Sequence, residues 1–354
     1  MIDLDDPRAL AAGDPGGMLG VVSSLGDQCR RGYGAGSAIR GAPSMEGVAT
    51  IVFCGIGGSA VAGDVLRVLY RNRLGIPIDV NRATQLPAYA TTHSLAIVSS
   101  YSGNTSEALG SFRDALQRGC RVVTVTSGGA LAREAADAGL PVVLVPGGLM
   151  PRAALGFLSL AMLGALEAMG ILPPLETDVA ETVAELEVLA RRLGPDVPRA
   201  ENAAKEIAWQ IGDRTPVIWG AEGIGAVAAG RWKTQFNENA KIPAWSAPLP
   251  ELDHNEVVGW TAPAGQAYLV IALRHQGEPH DVAVRFPPTM EIAQEAGAPV
   301  HEVQAAGRSS LARLFSLVLM GDFASTYHGL AHGRDPSPIA AIDRLKAALA
   351  EAGS

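Results

Sequence analysis

Thr50-Ile-Val-Phe-Cys-Gly-Ile-Gly-Gly-Ser-Ala60 decides the fold. Five apolar or β-branched residues run without alternation, glycines end the run, and helix-spaced apolar residues follow from Val61 to Tyr70. An uninterrupted apolar run is the mark of a strand buried on both faces, so the stretch reads as strand, tight loop, helix. The pattern recurs at Pro77–Val80, at Leu95–Val98 before a helical stretch from Thr105 to Arg118, at Arg121–Val125, and at Pro141–Val145, with a helix at Ala130–Ala138. Strands of this kind separated by helices predict a doubly wound, mainly parallel α/β sheet.

Outward from that core, the first ~45 residues are rich in Gly and Ser, with one predicted helix around Met18–Leu25. A helix is predicted over Ala153–Met169, and the paired prolines of Leu172-Pro-Pro-Leu175 end it. Helices at Thr177–Arg192 and Ala203–Gln210, a strand at Pro216–Trp219 and a helix at Val227–Asn239 read as a second α/β unit. Strands at Ala267–Leu273 and Pro299–Val303 and helices at Leu311–Leu330 and Ile339–Ala350 complete it. The division expected is 1–45 an N-terminal extension, 46–172 a first α/β domain and 173–354 a second, two copies of a similar sheet.

The chain has 354 residues, 48% hydrophobic and 18% charged, and a formal charge of −8. Such a composition suits two packed cores, and the acidic balance disfavours a nucleic-acid footprint. The N-terminus lacks the basic stretch of a secretory signal, and the apolar stretch Ala153–Leu166 is shorter than the ~20 residues of a membrane span. Cys29, Cys54 and Cys120 make no CxxC pair, which fits a reducing cytosol.

Two loops carry chemistry. Gly55-Ile-Gly-Gly-Ser-Ala60 lies where free backbone N–H groups and the positive end of a helix dipole converge, a place for an anion. It also fits GxGxxA, the dinucleotide fingerprint, with Asp79 near the position of a ribose-binding acid, and it can be only a tight turn. Ser99-Ser-Tyr-Ser-Gly-Asn-Thr105 is again between strand and helix, with five hydroxyls. Helix capping explains one or two of them; together with the first loop they suit a phosphomonoester.

These two strings, on successive strand-to-helix loops, resemble the sugar isomerase (SIS) domain, which binds phosphosugars. The resemblance implies that Gly57, Gly58, Ser59, Ser100, Ser102 and Thr105 hold the phosphate. Further segments are similar to one branch, the bifunctional phosphoglucose/phosphomannose isomerases: Pro151-Arg-Ala-Ala-Leu-Gly156, Gln235-Phe-Asn-Glu-Asn-Ala-Lys241, Pro250-Glu-Leu-Asp-His-Asn-Glu-Val-Val-Gly-Trp260 and Ile342-Asp-Arg-Leu-Lys346. The fold implied is two SIS-type domains, and the place implied is cytoplasmic carbohydrate metabolism, glycolysis and gluconeogenesis.

Interconverting an aldose phosphate and a ketose phosphate moves a proton between C1 and C2 through an enediol, and one carboxylate can serve both carbons. Glu238 is the candidate base. His254 suits ring opening because imidazole titrates near neutrality; by the resemblance it serves the neighbouring subunit, which implies a homodimer. Arg152 matches the family's stabiliser of enediolate charge, a role a guanidinium fills without metal. Lys346 matches a lysine tied to ring opening. No cofactor or metal is expected, although Glu251, Asp253, His254 and Glu256 form a competing metal set, and His328 with His332 a weaker metal face.

Asp253 stands where family members commonly carry Asn, and Ile339 where some carry a hydroxyl linked to acceptance of both C2 epimers. A carboxylate at 253 could raise the His254 pKa. The competing functions are a non-catalytic phosphosugar sensor, against which the full set of base, histidine, arginine and lysine counts, and a nicotinamide oxidoreductase.

Overall fold

The computed structural model describes residues 2–261 and 265–351. Three helices open the chain, α1 (Pro7–Gly13), α2 (Met18–Ser23) and α3 (Leu25–Ser37). Where the sequence predicts one helix there are three. Asp6 caps α1, accepting from the Arg8 N–H, with Pro7 in the first turn. Gly26, Gly32, Gly34 and Gly36 hide α3 from a propensity reading. Tertiary packing supports α3: a Cβ on Gly36 would lie 2.0 Å from Ala161 O and one on Gly32 2.7 Å from Phe157 O. The backbones of α3 and the later helix that carries Phe157 and Ala161 therefore touch.

The first sheet contains β1 (Thr50–Cys54), β2 (Ile78–Asn81), β3 (Ser94–Ser100), β4 (Arg121–Thr126) and β5 (Val142–Leu144), in the order β2-β1-β3-β4-β5 and parallel throughout. Its crossovers are α4 (Gly58–Tyr70), α5 (Ser106–Gln117) and α6 (Gly129–Asp137), and α7 (Leu155–Ala168), buried almost all round, follows. The strand order reverses between β1 and β3, and ligands of open α/β sheets bind outside the carboxyl ends of strands at such a reversal.

After α8 (Glu176–Arg192) and α9 (Ala203–Ile211), the second sheet is built from β6 (Thr215–Ala221), β7 (Trp245–Leu249), β8 (Tyr268–Arg274) and β9 (Val300–Gln304), in the order β7-β6-β8-β9, again all parallel. Its helices are α10 (Ile224–Gln235), α11 (His280–Ala283), α12 (Phe286–Glu295), α13 (Ser310–Ala331) and α14 (Ala340–Glu351). The two sheets share one wiring, each reversing beside its first strand, and the chain is a doubly wound α/β protein with two mainly parallel sheets.

β7 has no counterpart in the sequence reading, because Pro248 interrupts its pattern; proline is tolerated there on an edge strand. α13 is the central post, buried along nearly its whole length and packed on α8, α9 and α10. No helix among the described residues is long and apolar enough to cross a membrane.

Candidate functional site

The loop after β1 turns at Gly57, whose φ of 57° and ψ of −131° suit only glycine. α4 then starts at Gly58, where a Cβ would lie 3.0 Å from Pro151 O and 3.2 Å from Arg152 Cα. That close approach seats the short 3-10 turn Pro151–Ala153, and with it Arg152, against the phosphate-loop candidate.

The second loop is tied to the first by the Tyr101 N–H, which donates to Ser59 Oγ at 3.3 Å. Several of the hydroxyls are engaged inside the protein. Ser100 Oγ accepts from the Gly103 N–H and lies 3.0 Å from Thr105 Oγ1, and Tyr101 OH donates to Pro146 O while accepting from the Leu149 N–H; Ser99 Oγ is buried with no partner among the described residues. Tyr101 is thus a strut under the segment leading to Arg152. Ser102 is exposed, with Oγ accepting from the Asn104 N–H, and Thr105 sits at the start of α5 without capping it.

Glu238 departs from the helix predicted through Asn239. The α-helical pattern of α10 stops at Gln235, and Phe236–Ala240 forms a π turn. Single π turns widen a helix and re-aim its side chains, and they recur at functional sites. Here the turn sends successive residues to the same partner: Asn239 Oδ1 accepts from Arg152 Nε at 2.8 Å, and Glu238 Oε2 lies 3.7 Å from Arg152 Nη1. Lys241, at φ 58°, closes the turn; its Nζ donates to Glu238 O and to Pro336 O.

Arg152 is 3% exposed. Besides Asn239 it donates to Pro336 O (2.6 Å) and Ser337 O (3.0 Å) through Nη2. Burial pulls its pKa down, against Glu238, which raises it. A second buried arginine, Arg231, donates to Arg152 O at 2.6 Å and pairs with Asp322 through Nε and Nη2 at 3.2 and 3.1 Å. Burial pushes the Asp322 carboxyl up while Arg231 opposes it. Burial, and then Arg152, lowers the Lys241 pKa.

A cleft of about 400 Å³ runs between α4 and α10, with Gly57, Gly58, Thr234 and Glu238 in its wall. The structure thus gathers Gly57, Gly58, Glu238 and Arg152. His254 is not in this cleft: it sits exposed on the 3-10 turn Glu251–His254, and among the described residues neither hydrogen bond nor ion pair joins it to Glu238 or Arg152. Lys346 lies on α14, exposed from Ala340 to Leu349. The Asp253 carboxylate faces Arg285 Nη1 (3.2 Å) and Thr289 Oγ1 (2.9 Å), which anchor the histidine's turn to α12. Asp253 is a structural strut.

The competing readings fare differently. Asp79 sits inside β2 opposite Val52, and its carboxylate takes the Val80 N–H and the Tyr89 hydroxyl, so it is spent before a ribose could use it. Among the described residues no three His, Cys, Asp or Glu gather as a metal set. His328 contacts Ala208 O, and His332 contacts His328 O, through their Nδ1 atoms. Arg231, Asp322, Asn239, Tyr101 and Lys241 were not assigned from sequence. Tyr101, Asn239 and Lys241 stand in the quoted strings, and Lys241 is also one of just four lysines, with Lys205, Lys233 and Lys346.

Residues 200–349 match the model of the bacterial phospho-glucose isomerase C-terminal SIS domain. The chain is 38% identical over 336 residues to the bifunctional phosphoglucose/phosphomannose isomerase of Caldicellulosiruptor bescii, covering 94% of this chain and 99% of that protein. The protein of the same name from Aquifex aeolicus is 33% identical over 301 residues, 84% of this chain and 90% of its own. A glucose-6-phosphate isomerase like protein from Thermus thermophilus shares the fold, with a TM-score of 0.63 at 22% identity over 98% of this chain and 99% of that one. Sequence likeness along nearly the whole chain, on a site whose loops and buried arginine suit a phosphosugar, makes this chain a member of the bifunctional phosphoglucose/phosphomannose isomerase family.

Proposed function

We propose that the protein interconverts glucose 6-phosphate and mannose 6-phosphate with fructose 6-phosphate through a cis-enediol. The observation that carries this reading is the Glu238 carboxylate, turned by a π turn to 3.7 Å from a buried guanidinium beside the glycine loop. A base and a fixed cation at that separation can take a proton from C2 of the opened aldose, stabilise the enediolate oxygens and return the proton to C1. The amides of Gly57 and Gly58, with Ser59, Ser100, Ser102 and Thr105, hold the phosphate. Ser102 and Thr105 are the more accessible hydroxyls, since Ser59 and Ser100 are buried and already engaged.

Ring opening falls to His254 of a second copy, aided by Lys346, in a cytosolic homodimer. The exposure of both residues supports that assignment. The reading needs no cofactor and gives the electrostatic role to Arg152. The first 45 residues, 46–172 and 173–354 remain the proposed division.

A coupled assay with both aldose 6-phosphates, with and without chelator, tests the activity, and turnover should survive EDTA. Glu238→Gln should abolish turnover and retain sugar-phosphate binding; a variant as active as the parent removes Glu238 as base. Shared sites make a further prediction. Mixing inactive Glu238→Gln and His254→Ala protomers should restore about a quarter of parental activity, because half the dimers are mixed and each rebuilds one intact site. No recovery after verified subunit exchange means that His254 does not act across protomers.

A further inference from the structure

Beside Ala153, one residue beyond Arg152, a cavity of about 10 Å³ is lined by Gln28, Gln235 and Asp322 together with Val22 and Leu25. It joins the N-terminal helices to the catalytic network. Gln28 and Gln235 are 2% and 1% exposed, and Oε1 of each is buried with no partner among the described residues. Their amide nitrogens are committed elsewhere. Gln28 Nε2 donates to Ser24 Oγ at 3.1 Å and to Val21 O at 3.4 Å. The Gln235 side chain lies beside the Asp322 carboxylate, which accepts from Arg231, so the NH2 is the end of the amide that suits that neighbour and both oxygens are left as acceptors.

Two orphaned acceptors on one small cavity call for a donor, and the volume matches about one water-sized sphere. We propose that a single buried water donates one hydrogen to Gln28 Oε1 and the other to Gln235 Oε1, making Gln28 a positioning residue for Arg152 and Glu238. The route is short. Gln235 is the last residue of α10 before the π turn that carries Glu238. Its amide also faces Asp322, Asp322 holds Arg231, and Arg231 donates to the Arg152 carbonyl. Without the water, the Gln235 oxygen is an unpaired buried acceptor, a cost relieved by shifting the side chain from its place against Asp322. The N-terminal segment thereby becomes part of the catalytic support, and only the kinetic readout rests on the isomerase reading.

The test pairs crystallography with kinetics on the full chain. The parent should show one ordered density peak within hydrogen-bond distance of both Oε1 atoms. Gln28→Met fills similar volume without an acceptor; it should lose the peak, displace the Gln235 side chain, and lower kcat about tenfold with KM within about twofold. Val22→Ala, which alters an apolar wall of the same cavity, should lower the melting temperature and leave kcat unchanged. If Gln28→Met does not fold, Gln235→Met enters from the opposite side and should give the same kcat defect. No peak in the parent, or Gln28→Met with parental kcat and an unmoved Gln235, overturns the proposal. The Arg152–Glu238 separation, 3.7 Å in the parent, should grow in Gln28→Met. That geometric readout decides the matter even if the parent proves not to isomerise, so the two failures are distinguishable.

Discussion

Replacing Arg152 by lysine keeps the charge and removes the fork. The guanidinium now serves Asn239 Oδ1 at 2.8 Å, Pro336 O at 2.6 Å and Ser337 O at 3.0 Å, with Nη1 facing Glu238. An ammonium on a shorter stem is a point donor and cannot reach the amide oxygen and both carbonyls together. At least one buried acceptor is orphaned, at about 1–3 kcal/mol, and a charge-assisted bond is lost, so the variant should unfold about 2–4 kcal/mol more easily in urea. Its catalytic cost has a separate origin: removing one aimed donor from a developing oxyanion typically lowers kcat by about 10²–10³. Lysine retains the charge, so about a hundredfold, near 2.7 kcal/mol, is expected. KM for fructose 6-phosphate should change little, because the proposed phosphate site is the glycine loop. A dehydrogenase-coupled assay beside a urea titration separates the two costs. A variant whose kcat stays within about threefold of the parent refutes the claim that the aimed fork of Arg152 stabilises the enediolate.

Further predictions concern stability. Burial, with smaller contributions from His332 and Arg334 and against Ala208 O and Asp213, pushes the His328 pKa down from 6.5 to about 4. A depressed histidine stabilises the fold above its unfolded pKa, so up to about 3 kcal/mol should be lost as pH falls from about 6.5 to about 4. The parent's advantage over His328→Gln in urea should shrink across that window; a constant difference contradicts the burial argument. Gly36→Ala places a Cβ 2.0 Å from Ala161 O and should destabilise by about 1–3 kcal/mol. Gly34→Ala on the same helix meets nothing within 4 Å and should stabilise by up to about 1 kcal/mol through propensity alone. If both shift the urea midpoint alike, close packing on α7 is not what holds α3.

Much of the fold was legible because buried parallel strands leave continuous apolar runs, and β1, β3, β4 and β8 are of that kind. β7 was not, since an edge strand needs neither continuity nor freedom from proline. α3 was hidden by glycines whose purpose, contact with another backbone, exists only in the folded state. At the site, the turn of the glycine loop could be read from local sequence because its backbone geometry is local. The π turn could not: Glu238 and Asn239 fit an ordinary helix until Arg152, far away in sequence, gives both a shared partner. Nor do hydroxyl counts separate Ser102 and Thr105 from Tyr101, whose OH is occupied beneath the site.

The proposed phosphate loop belongs to the sheet of β1 and the proposed base to the sheet of β6. The reach from grip to proton acceptor is therefore calibrated by how α4 lies along α10, a seam whose cleft side carries Val61, Ala226 and Gly230. Enlarging a side chain on that seam would alter the spacing of the two functions while touching neither, much as a shim sets the gap between two jaws. Drift in substrate preference within such a protein could then arise from seam packing before any contact residue changes.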